Sequence, residues 1–103
     1  MGDVITSEQT ITISVIIHGD CIIENLTYPS TVEVGEEFNI AYDCVNNGNE
    51  DSCFGQIMKD NTLIPGSRWD QTLANGATKS SDIPISGGIQ ADSTFVIQVG
   101  YTN

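Results

Sequence analysis

Polar and apolar residues alternate along this chain in short runs broken by turn residues. The clearest run is at residues 9–17, where Ile11, Ile13, Val15 and Ile17 share one face of an extended chain. Thr10, Thr12 and Ser14 share the other. Strict alternation rich in β-branched side chains predicts a half-buried strand. A lone strand leaves its own donors and acceptors unpaired, so this one needs a partner.

Further runs follow. Residues 21–28 read as extended and end at Pro29-Ser30, and residues 31–34 alternate briefly before Gly35. Residues 38–44 place Phe38, Ile40, Tyr42 and Cys44 on one face, with Asn39, Ala41 and Asp43 on the other. A polar loop, residues 46–51, leads to residues 53–59, with Cys53, Gly55 and Ile57 on one face. Asp60-Asn61 predicts a tight hairpin into residues 62–64, and Pro65-Gly66 ends that strand. Residues 69–73 and 79–85 are further strands, with Pro84 confining the second to an edge or an end. Residues 94–101 alternate cleanly, with Phe95, Ile97, Val99 and Tyr101 facing in. No helical period is sustained. The pattern predicts an all-β protein, an immunoglobulin-like antiparallel β-sandwich of about seven strands. Residues 1–20 are expected to form an N-terminal donor or extension strand, and residues 21–103 the sandwich.

A chain of 103 residues fits one small domain with a thin two-layer core. Its net charge of −11, with Lys59, Arg68 and Lys79 as the only cations besides the terminus, argues against nucleic acid and anionic membranes. No apolar run reaches the roughly 18–20 residues that a membrane helix needs, so no membrane insertion is expected. No signal peptide is visible at the start, as a mature or truncated surface protein would look.

Residues 29–38, with Ile40, Tyr42 and Val45-Asn46-Asn47-Gly48, resemble the opening of CARDB-type domains. These are immunoglobulin-like modules of bacterial and archaeal surface proteins. Residues 59–64 resemble their central hairpin, and residues 73–78 their Leu-small-Gly turn, so the resemblance covers roughly residues 25–101. It implies an extracellular or cell-surface location. It also implies that residues 94–101 are the sixth strand and that a Thr- and Val-rich seventh strand follows. Residues 10–17 look like that strand but lie at the other end of the chain.

Three placements are open to residues 10–17. They can fill their own domain's last position, complete a neighbouring copy, or belong to a preceding tandem repeat; an ordinary extra edge strand is the plainest alternative. Residues 18–20 reach about 13 Å, whereas an eight-residue strand spans about 26 Å. The strand therefore enters its own slot only if it runs parallel to residues 94–101. Donation is the logic of donor-strand complementation, with Ile11, Ile13, Val15 and Ile17 as donor residues and Phe95, Ile97, Val99 and Tyr101 as the acceptor groove. Four such side chains, at about 1.5–3 kcal/mol each, would make a strong contact.

Cys44 and Cys53 flank one loop on inferred core faces and are expected to pair outside the cytosol, closing a loop of about ten residues. Cys21 is then free, pairs between subunits, or replaces one partner; three buried thiols are the other reading. Asn25-Leu26-Thr27 is a glycosylation sequon. Asn49, Glu50 and Asp51 offer hard oxygens for calcium, but their spacing is not that of an EF-hand, and a solvated loop is the plainer expectation. No other cofactor is expected. Arg68 and Trp69 would suit a sugar or protein partner, although such a Trp more often covers a sandwich end. No catalytic constellation surrounds His18 or the cysteines, so no enzyme is expected. The reading is a structural protein that assembles with copies of itself, head to tail, into a filament, pilus-like fibre or coat. The alternative is a monomeric adhesion, binding or spacer module facing other surface proteins or glycans.

Overall fold

A computed structural model describes residues 2–13 and 18–102. Seven strands and no helix occur among them: β1 (Cys21–Thr27), β2 (Phe38–Asn46), β3 (Asp51–Lys59), β4 (Thr62–Leu63), β5 (Trp69–Leu73), β6 (Thr78–Ile85) and β7 (Phe95–Tyr101). All pairings are antiparallel. One sheet has the order β1-β2-β6. In the other, β3 pairs β7 along one edge, and β4 and β5 share its opposite edge. The protein is thus an all-β antiparallel sandwich. Its β1-β2-β6 and β3-β7 pairings are those of an immunoglobulin sandwich's A-B-E and C-F strands.

The core follows from the period of two. Ile40, Tyr42 and Cys44 of β2 face Cys53 and Ile57 of β3, with Leu73 and Ile85 closing the layer. Trp69 Nε1 donates to the Tyr42 hydroxyl at 3.0 Å between the layers. Gly55 is required there, because a β-carbon on it would run into both the Trp69 indole and the Tyr42 hydroxyl. Pro84 sits opposite Asn39 on β6, which among the described residues pairs only with β2 and so has an edge to spare for a residue without an N–H. At the β3–β4 hairpin, Asp60 and Asn61 have φ of 48° and 68°. Positive φ at both central positions matches the twist of the strands.

Two stretches differ from the sequence expectation. Residues 31–34 form no strand; Glu36 N–H donates to the Glu33 carbonyl, and Gly35 takes φ 77°. The Glu36 carboxylate also accepts from Glu33 N–H, so this segment closes on itself as a turn. Within the expected N-terminal strand, residues 11–13 lie outside any strand, while residues 14–17, with Val15 and Ile17, lie outside the described residues.

Candidate functional site

The two ends of β7 meet different surroundings. At its start, Phe95 and Ile97 line a groove of about 610 Å³ between β7 and β1. Leu26 and Tyr28 form the groove's β1 side, and Phe38 and Ile40 its floor. Phe38 and Phe95 meet edge to face, with ring centroids 5.9 Å apart. Among the described residues β7 pairs only with β3, and β1 only with β2. The groove is therefore bordered by two open strand edges. Phe95, Ile97, Val99 and Tyr101 share the inner face of β7 and are each half-buried.

At the far end of β7, Tyr101 stacks on His18, with centroids 4.5 Å apart and planes 13° from parallel. His18 belongs to a short segment, residues 18–20, strapped to the β2–β3 loop. Asn47 N–H donates to the Asp20 carbonyl, Asn49 N–H to the His18 carbonyl, and Gly19 N–H to Asp51 Oδ2. The hub is Asn46, which is fully buried. Its Oδ1 accepts from the N–H groups of Asp20 and Gly48, and its Nδ2 donates to the carbonyls of Asn49 and Leu73. All four hydrogen-bonding positions of the amide are used, which is what allows it to be buried.

Residues 2–13, further upstream, pair with no strand among the described residues. Residues 2–13 are all exposed, with Val4, Ile5, Ile11 and Ile13 between 76% and 82% accessible. The molecule extends 87 Å along one axis and only 24 and 22 Å along the others. Ile11 and Ile13, two of the expected donor residues, are therefore in solvent and not in the groove of their own chain.

The remaining sequence candidates are placed as follows. The three cysteines are unbridged in this structure. Cys44 and Cys53 are buried and Cys21 is partly so, with Cys21 Sγ 3.0 Å from Cys53 Sγ. Of the expected pair Cys44 and Cys53, Cys53 makes its short sulfur contact with Cys21. Burial pushes all three thiols up in pKa, Cys53 to about 12. In the acidic loop, both Asp51 oxygens accept backbone N–H groups, from Gly19 and Ser52. The Asn49 carbonyl accepts from Asn46, and no group of three or more metal-ligating side chains forms among the described residues. Asn25 of the sequon is exposed, and its Nδ2 donates to Asp43 Oδ2 at 2.8 Å. Arg68 lies over the Phe54 ring and pairs with Asp70. Trp69 is half-buried, with its Nε1 donating to the Tyr42 hydroxyl. No family model, curated protein or solved structure matches the chain.

Proposed function

We propose that this is a non-enzymatic structural subunit of the cell surface that polymerises head to tail by donor-strand complementation. It is a CARDB-like sandwich in which β7 of each copy is completed by residues 10–17 of the next. The observation that carries this is a complementarity: an apolar groove between two open strand edges, and the β-branched Ile11 and Ile13 exposed to solvent on the same chain. Natural proteins avoid leaving apolar edges of this kind open, and each half of the contact would remove the other's exposed surface from water.

The strap supports a direction. It holds the arm's base beside Tyr101, at the end of the sandwich away from the groove mouth. An arm folding back onto its own domain would run parallel to β7. An arm from a neighbour can enter antiparallel, with its base leaving at the Phe95 end, and this stacks the Tyr101 end of one copy on the Phe95 end of the next. Each added copy presents the same groove and the same arm, so the contact does not close.

The test is electron microscopy and size-exclusion chromatography of the intact chain beside a form lacking residues 2–17. Fibres from the first and only monomers or amorphous aggregate from the second are expected. An intact chain that stays monomeric at high concentration would favour the spacer-module reading, and fibres that persist without the arm would end the assembly reading.

A further inference from the structure

The three cysteines lie far apart in sequence and come together at the strapped end of the core. Cys21 opens β1 in one sheet, and Cys53 lies on the central strand β3 of the other. Their sulfurs are 3.0 Å apart. Cys44 on β2 is fully buried and adjoins both, although it is recessed from solvent. Cys21 is partly exposed. Disulfide formation requires an accessible thiolate to meet the oxidant and a second thiol within reach of the first. Cys21 supplies the accessible sulfur, and Cys53 the second thiol within reach.

We propose that Cys21 and Cys53 form a disulfide that cross-links the two sheets, with Cys44 remaining a thiol. The electron acceptor is a disulfide oxidant, of which oxidised glutathione is the simple case. The Cys21 thiolate attacks one glutathione sulfur, displacing a glutathione thiolate and leaving a mixed disulfide on Cys21. The Cys53 thiolate then attacks Cys21 Sγ, forming the Sγ–Sγ bond and expelling the second glutathione thiolate. The two protons released by the protein thiols end on the two glutathione thiolates, so one disulfide is exchanged for another. The depressed acidity of Cys53 makes closure slow at neutral pH and faster as pH rises.

The bridge would close a loop of about 33 residues and join sheets that share no ladder, so oxidation should raise Tm by on the order of 15 °C. Cys21 directly follows the strap. On the assembly reading, the bridge also ties the base of the arm to β3, the strand that carries β7. The chemistry itself does not depend on assembly.

The test is treatment of the full chain with oxidised glutathione, followed by intact mass and peptide mapping without reductant. The expected product is a monomer that has lost two hydrogens, with Cys21 linked to Cys53 and Cys44 open to alkylation after unfolding. C44A should form the same bridge with the same rise in Tm, and C21A should form none and show no rise. Circular dichroism of the reduced variants checks that each is folded. A Cys44–Cys53 or Cys21–Cys44 link, a disulfide dimer, or three persistent thiols in the folded chain would each overturn the proposal. None of these outcomes bears on whether fibres form.

Discussion

The two ends of β7 belong to one strand but are completed differently. At Tyr101 the chain supplies its own cap: His18 stacks on the ring, and Asn46 gathers four backbone groups from three segments. No buried side-chain polar atom among the described residues lacks a partner there. At Phe95 and Ile97 the demand is apolar surface and an unpaired strand edge, and nothing in the described residues of the same chain covers it. Polar satisfaction is short-ranged and directional, so a finished polar end can hold the arm at a fixed origin. Apolar burial is non-directional and tolerant of its source, so the open end can be finished by another molecule. The fixed origin and the open groove are the two requirements of a polar fibre.

The sharpest break between the ends comes from Ile13→Asp. Ile13 is 82% exposed, so the isolated chain should keep its Tm. On the assembly reading the substitution would remove the burial of an Ile and bury a charge, together at least about 3 kcal/mol. The concentration needed for fibres should rise about 100-fold or more in a sedimentation assay. An unchanged threshold would mean that the arm lies elsewhere in the fibre.

Asn46→Ala probes the other end. It strands the Leu73 carbonyl in the core and unties Asp20, Gly48 and Asn49. A loss of about 3 kcal/mol in chemical denaturation is expected. Hydrogen exchange should show residues 18–20 opening before the strands do. A near-neutral result would show that the strap is not what fixes the arm.

The smallest effect lies between the ends, where Asp43 is held below the usual carboxylate range by hydrogen bonds from Asn25 and Ser80. A depressed carboxyl stabilises the fold above its unfolded pKa, near 4, and that contribution is lost as pH falls through the folded value. Asn25→Ala should return the Asp43 titration upward by NMR and leave both ends of β7 untouched. A change in fibre formation would couple this site to the groove.

Much of the fold was legible because sheet burial has a period of two. Ile40, Tyr42, Cys44, Cys53 and Ile57 could be assigned to the core by alternation alone, and Asp60-Asn61 announced its hairpin through turn chemistry. The inner face of β7 was legible for the same reason. Asn46 was not: in a run of Asn, Gly and Asp it reads as solvated loop, and the partners that justify its burial are 26 and 27 residues away. Ser67 is similar, a buried hydroxyl whose bonds to Ile57 lie ten residues back along the chain. The Cys21–Cys53 contact was legible only as one alternative, since spacing favours the flanking pair Cys44 and Cys53, whereas packing of the two sheets decides which sulfurs meet. Residues 31–34 alternate like a strand, but Gly35 and the Glu33–Glu36 hydrogen bonds make a turn of them.

The central claim is that the arm of one copy lies antiparallel beside β7 of another. Solid-state NMR on fibres grown from an equal mixture of nitrogen-labelled and carbon-labelled chains reads this directly, because only contacts between different copies give cross-peaks. The account predicts cross-peaks linking the side chains of residues 11–17 to the backbone of residues 95–101, ordered so that the later arm residues lie near Phe95. Finding those contacts only within uniformly labelled chains, or in the parallel order, would contradict it.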